Sequence, residues 1–346
     1  MERKNIFIKY IFVGGKKMKK VAVIFNGGTI SMRVDPRIHA AVPSMTGDEI
    51  MRMVTGIEKY AEVESHTFSN VPSPHMSPKD MMELSKYVKK LLERDDICGA
   101  VVTHGTDSLE ETAYLLDLTI HSDKPVVVTG SMRSGSELGY DGPANLSASI
   151  CTAISDEAKG RGVLVCFNDE LNCASEVTKT NSMQLNAFQT PNLGPIGIVD
   201  NNVVIFYRDS MQKQHLDTDM VEDRVDLIKC VSGIDSRLIR FCINEGDKGI
   251  VIEGMGRGNV PPKMVEGIKE AIDKGLAVVL VSRCYEGRVL DTYGYHGGGK
   301  ELRNLGVIFG DNLPGQKARI KLMLALSMTN DVDKIKDIFE KGHYSK

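Results

Sequence analysis

Six apolar runs rich in Val and Ile punctuate the chain, and none alternates with polar residues: KKVAVIF, CGAVVTH, KPVVVTG, GVLVCF, GIVIEG and LAVVLVS. A strand with one face in water alternates, whereas a strand covered on both faces does not. The runs therefore predict inner strands of a parallel sheet. Helical patterns lie between them. DSLEETAYLLDL offers Asp107 or Ser108 as a cap, with Glu110 and Glu111 in capping-box register, and predicts a helix over 108–118. DGPANLSASICTAIS carries Pro143 where a first-turn proline belongs, and LPGQKARIKLMLALSM closes the chain in the same style. Alternating strands and helices imply an α/β fold with a doubly wound, mainly parallel sheet and right-handed crossovers.

At 346 residues the chain is long enough for two domains, each with its own core. The one marked break in composition is YRDSMQKQHLDTDMVEDRVD, polar and charged after the strand-like NNVVIF. It reads as a linker over 208–226, between a larger domain over 18–207 and a smaller α/β domain over 227–346. A long surface loop inside one domain is the alternative, and the two apolar runs that follow it favour two domains. Residues 1–17 are expected to be an extension, either disordered or upstream of a true start at Met18. Their apolar patch IFIKYIFV is broken by Lys9, is too short to span a bilayer and precedes no cleavage pattern. No other stretch could cross a membrane.

Charge and cysteine usage exclude further classes. A formal net charge of −3 provides no basic footprint for nucleic acid. Seven scattered cysteines, with no C-x-x-C pair and no Cys/His ligand spacing, read as reduced thiols in a cytoplasmic protein without a metal centre.

Two threonines stand where an apolar run gives way to glycine: Thr29 in VAVIFNGGTIS and Thr106 in VVTHGTDSLEET, the second followed by Asp107. Strands that stop at glycine before a helix put their last residues at the carboxyl edge of a parallel sheet, where open α/β folds collect ligands. EVTKTNSMQLNAF adds Lys179 between two more threonines, and Thr, Lys and Asp together can make an activated oxygen nucleophile. Each motif has a plainer reading when taken alone. NGGT is a tight turn able to cradle a phosphate, Asp107 is an ordinary helix cap, and Lys179 is a solvated charge.

In chain order, NGGTIS, NVPSPHMS, THGTDSLEET, TGSMR with YDGPANL, EVTKTN, GMGRGNVPP and PGQKARIKLMLAL resemble the bacterial-type L-asparaginase family, from about Met18 to Ser327. That family also takes in glutaminase-asparaginases and a subunit of an archaeal tRNA-dependent amidotransferase. The resemblance implies roles. Thr29 matches the primary nucleophile, and Thr106, Asp107 and Lys179 match a second Thr-Lys-Asp set. Ser73 matches a serine that binds the substrate α-carboxylate, while Asp107 also holds the α-amino group. Asn259 matches an asparagine reaching the site from a neighbouring subunit, so a homodimer or homotetramer is expected.

The chemistry is coherent without the name. A threonine hydroxyl is a poor nucleophile until a base takes its proton, and a lysine is protonated in water near pH 10.4. Desolvation by roughly three units, about 4 kcal/mol, would make Lys179 such a base in a packed pocket. Backbone amides at the start of the 108–118 helix would stabilise the oxyanion. No metal or organic cofactor is needed.

Two departures from the family pattern concern specificity. The segment SMRVDPRIHAAVPSMTG, where the family has a lid carrying a tyrosine, has none; Ala41 takes its place and His39 is the nearest proton carrier. The segment over 33–44 is expected to be mobile without ligand. SRCYEGRVLDTYGYHGGGK offers Glu286, Tyr293 and Tyr295 without a clear match to the family's donated glutamate. The leading expectation is a cytoplasmic L-asparaginase. Alternatives are an amidohydrolase for glutamine or another small amide, a catalytically weak amino-acid sensor, and a bare phosphate-binding α/β module. An amidotransferase subunit would be expected to carry an extra amino-terminal domain, and seventeen residues cannot form one.

Overall fold

The computed structural model describes residues 12–13, 16–210 and 213–341; most of the expected extension over 1–17 lies outside the described residues. The first four apolar runs become the centre of an eight-stranded sheet. Its strands are β1 (Lys19–Gly27), β2 (Ala61–Val71), β3 (Ile97–Thr103), β4 (Val126–Thr129), β5 (Val163–Phe167), β6 (Glu170–Cys173), β7 (Gly197–Asp200) and β8 (Val203–Phe206), in the spatial order β8-β7-β6-β5-β4-β3-β1-β2. From β2 to β5 every pairing is parallel, and β5 to β8 continue as an antiparallel tail.

Helices α1 (Pro78–Leu92), α2 (Leu109–Thr119) and α3 (Gly142–Ala153) cross between these strands. Pro143 sits in the first turn of α3 as its position in the sequence predicts. Residues on alternate positions of β1 feed opposite faces. Val21, Val23 and Phe25 join one core cluster, and Ala22 and Ile24 another. Both faces of the sheet are thus covered, which is why the runs lack polar alternation.

A second, four-stranded parallel sheet contains β9 (Val225–Lys229), β10 (Gly249–Gly254), β11 (Ala277–Ser282) and β12 (Ile308–Phe309) in sequential order. Helices α4 (Arg237–Glu245), α5 (Pro262–Asp273) and α6 (Gly315–Met328) accompany it. β9 takes up the last two residues of the stretch read as a linker.

Each domain has a core of its own, and a further cluster spans the two. One core cluster contains Tyr114, Leu115 and Leu118 of α2 together with Val251 of β10 and Leu322 of α6. Leu216, inside the polar stretch, is buried in the same cluster, and its amide donates to the Leu118 carbonyl at 2.7 Å. Polar composition marked the connection but not the contact, to which this stretch contributes Leu216.

Candidate active site

The strand order sets the site. From β1 the chain steps outward to β2 and then returns to β3 on the other side of β1, so the order reverses at the carboxyl ends of β1 and β3. Crossover helices leave to opposite sides there, and a crevice results. Thr29 follows β1, Thr106 follows β3 and Ser73 follows β2, which places all three at one sheet edge.

Glycine lets these loops meet. Gly27 and Gly28 have φ of +79° and +84°, a region costly for other residues. A Cβ on Gly28 would lie 2.2 Å from Gly105 Cα, and a Cβ on Gly105 would lie 2.8 Å from Ser73 Oγ. The three loops are therefore in backbone contact immediately beside Thr29, Thr106 and Ser73. Gly28 N also donates to the Val71 carbonyl at 3.1 Å. The glycines of NGGT and HGT serve close approach, a reason that the turn reading alone does not supply.

Lys179 arrives from a short strand, Thr178–Lys179, paired antiparallel with Phe188–Gln189. Its Nζ donates to Thr106 Oγ1 at 2.9 Å and to Asp107 Oδ1 at 2.6 Å. The lysine side chain is 16 % exposed and that of Asp107 is 65 % exposed. Ser73 is buried, and its Oγ accepts from the Asp107 amide at 3.1 Å. Ser73, Thr106, Asp107 and Lys179 thus form one hydrogen-bonded group, with Thr29 half-buried one residue beyond the Gly28–Gly105 contact.

The helix begins where the sequence places it, with Ser108 at its cap position, but the capping bonds are not made. Ser108 Oγ donates instead to the Ser73 carbonyl at 2.8 Å. Asp107 turns to Lys179, and Glu110 Oε1 accepts from Thr178 Oγ1 and the Lys179 amide, both at 3.2 Å. Tertiary partners have taken the side chains that local pattern assigns to the helix end. Asn259 is not part of the cluster: it lies on a turn after β10, bridges to Met255, and accepts from the Gly299 amide at 3.3 Å.

The segment expected as a mobile lid forms a hairpin, Met32–Asp35 with Ala40–Pro43, whose tip is exposed and places His39 at a φ of 52°. A tyrosine that sequence reasoning passed over lies beside it. Tyr140, in YDGPANL, donates to the Ile30 carbonyl at 2.6 Å and so fixes the turn that carries Thr29. No local signal could have found it, because the partners are 110 residues apart. Tyr293 and Tyr295 instead lie tilted against one another, with ring centroids 5.7 Å apart. A cleft between the domains is lined by Glu110, Thr178 and Lys179 on one side and by Glu253, Arg283 and Tyr285 on the other; Thr29 and Thr106 lie outside its lining.

His104 braces the Thr106 loop from below. It is fully buried, with Nδ1 at 2.8 Å from the Gly105 carbonyl and Nε2 at 2.9 Å from Thr112 Oγ1. The neutral ring satisfies both contacts, donating to the carbonyl and accepting from the hydroxyl. Burial pushes its pKa down to about 4. The folded state then binds fewer protons than the unfolded chain between pH 6.5 and 4. The contribution of His104 is complete above pH 6.5 and is lost as pH falls through that window, to a total of about 3 kcal/mol. Chemical denaturation of the parent and a His104→Gln variant should show it: the parent loses the more stability over this range, and parallel curves would refute the assignment.

A larger mainly parallel sheet, a smaller parallel one, and a hydroxyl–amine–carboxylate cluster at the first sheet's carboxyl edge define a two-domain α/β protein with a candidate active site. The comparisons with known proteins specify which kind. Residues 20–212 match the model described as asparaginase, N-terminal, and residues 224–339 match the glutaminase/asparaginase C-terminal domain. The chain belongs to the asparaginase family, of the bacterial type. It is 37 % identical to an L-asparaginase of Bacillus licheniformis over 89 % of this chain and 96 % of that one. It is 32 % identical to a glutamyl-tRNA(Gln) amidotransferase subunit of Methanobrevibacter smithii, over 94 % of this chain and 76 % of the relative. The crystal structure of a probable cytoplasmic L-asparaginase from Campylobacter jejuni superposes with a TM-score of 0.84 at 33 % identity, covering 93 % and 99 % of the two chains.

Proposed function

We propose that the protein is an L-asparaginase that hydrolyses L-asparagine to L-aspartate and ammonia through a threonine acyl-enzyme. The observation that carries this reading is the contact of Lys179 Nζ with Thr106 Oγ1 and Asp107 Oδ1, next to the glycine junction that holds Thr29. Thr29 Oγ attacks the side-chain amide carbon. Its proton passes to the leaving nitrogen, the C–N bond breaks, and ammonia departs from an ester on Thr29. Water then attacks the ester, returns a proton to Thr29 and releases the acid. Lys179 and Thr106 relay the protons, and Asp107 orients the lysine. Ser73 and Asp107 would bind the amino-acid end of the substrate.

Asn259 is proposed to complete a neighbouring subunit's site in a homodimer or homotetramer, since it stands away from the cluster in its own chain. A cytoplasmic location follows the Campylobacter relative's description; among the described residues no helix is long and apolar enough to cross a membrane. The amidotransferase relatives, and a lid without a tyrosine, support a second reading: hydrolysis of a different amide.

Steady-state ammonia release from L-asparagine, D-asparagine, L-glutamine and small amides separates these. L-Asparagine should give a kcat/KM at least about tenfold above the others, a discrimination of about 1.4 kcal/mol. Release from none of them, with amino-acid binding retained, would make the protein a sensor and not an enzyme.

A further inference from the structure

Lys317 lies on α6, which accompanies the smaller sheet, yet its amine ends inside the larger domain. The side chain is fully buried. Its Nζ donates to the Ala174 carbonyl at 2.7 Å and to the Val177 carbonyl, and lies 5.7 Å from the centre of the Tyr114 ring. Both carbonyls belong to one turn, closed by the Val177 amide donating to the Cys173 carbonyl at 2.9 Å. A single turn that does not continue leaves its carbonyls without the amides of a next turn, and the lysine fills that gap. Thr178 and Lys179 follow immediately.

Other bonds hold the segment's ends: the Ala174 amide donates to the Val163 carbonyl at 2.9 Å, Arg208 pairs with Glu176 at 2.7 Å, and the Thr180 amide donates to the Ala187 carbonyl at 2.7 Å. The Thr178–Lys179 strand pairs with its neighbour over two residues only, a ladder too short to define a position by itself. At the two residues between these anchors, Glu110 accepts from Thr178 Oγ1 and the Lys179 amide. Lys317 and Glu110 therefore grip successive groups of the same few residues, one from α6 and the other from α2.

The geometry points to Lys317 as a positioning residue for amide hydrolysis: from the smaller domain it sets the backbone that presents Lys179 to Thr106, with Glu110 as its counterpart. This rests on the proposed role of Lys179. Packing alone would be served at least as well by an apolar side chain of the same length, because a buried ion must be stripped of water. That stripping brings Lys317 down to about 8, against the raising effect of Glu110, Asp117, Glu176 and Cys173. A neutral amine still has two N–H groups for the two carbonyls, so the grip is kept on either side of its titration.

The test compares Lys317→Met and Lys317→Gln with the parent in ammonia release from L-asparagine and in hydrogen exchange of residues 174–180. Lys317→Met should lower kcat roughly 30-fold with KM changed less than about threefold, as misplacement of a catalytic group does. Its thermal midpoint should move only modestly, because loss of the donor to two buried carbonyls is offset by removal of a buried amine, and the amides of 178–180 should exchange at least about tenfold faster. Lys317→Gln keeps an NH2 donor group on a side chain one atom shorter and should recover part of the loss; it carries the comparison should the methionine variant not fold. A kcat within twofold of the parent's, or unchanged exchange in the segment, overturns the proposal. A parent without amide hydrolysis would instead sink the proposed activity, and the exchange measurement would still decide whether Lys317 holds the segment.

Discussion

Lys179→Met should abolish amide hydrolysis while leaving a folded protein that still binds L-aspartate. Methionine keeps the volume and length of the side chain but removes the amine that contacts Thr106 Oγ1 and Asp107 Oδ1. Without a base or relay, the hydroxyl is left at its intrinsic reactivity, and a fall in kcat of about 10³-fold or more is expected. Stability should change little. The ion pair that is lost has a largely exposed carboxylate partner, and such pairs contribute little to folding. Ammonia release, thermal unfolding and calorimetric titration with L-aspartate together check this. Turnover above a tenth of the parent's would remove Lys179 from the mechanism.

The two threonines should behave as parts of one device. Thr29→Ala and Thr106→Val are each expected to lower kcat by at least about 100-fold, with folding nearly unaffected because both side chains stand at a sheet edge. Groups that act in one step are not additive, so the double variant should be little slower than the worse single one. The intermediates distinguish them. Thr29→Ala can form no acyl-enzyme, whereas Thr106→Val forms one slowly, which mass spectrometry of quenched reactions can detect on Thr29. An acyl group found on Thr106 in the parent would exchange their roles. Near-full turnover of Thr29→Ala would end the acyl-enzyme proposal.

What could be read from the sequence follows from range of interaction. Strands buried on both faces announce themselves through unbroken apolar runs, and the runs named in the sequence are the inner strands of both sheets. The positions of Thr29 and Thr106 at strand ends were equally legible, since an apolar run stopping at glycine is a local event. Family resemblance then joined these to Ser73 and Lys179, which no periodicity connects.

The antiparallel tail β6–β8 was less legible, because short strands such as Glu170–Cys173 carry little pattern. Side chains with two possible partners could be read both ways in the sequence. Asp107, Ser108 and Glu110 look like a helix cap and are drawn instead to Lys179, Ser73 and Thr178. Nothing local could decide between those partners, since the competing ones stand 35 to 72 residues away.

Chain order and local composition by themselves determined the α/β class, the inner strands and the two threonine-bearing turns, because apolar periodicity and glycine act over a few residues. Only the tertiary structure decided which polar groups meet. In KARIKLMLAL the two lysines look like the solvated face of a helix. Both are fully buried, because α6 is packed between α2 and the smaller sheet, and one of them ends on the turn leading to Lys179. Burial of that kind depends on what the rest of the chain places around a helix, and a helix's own residues do not encode it.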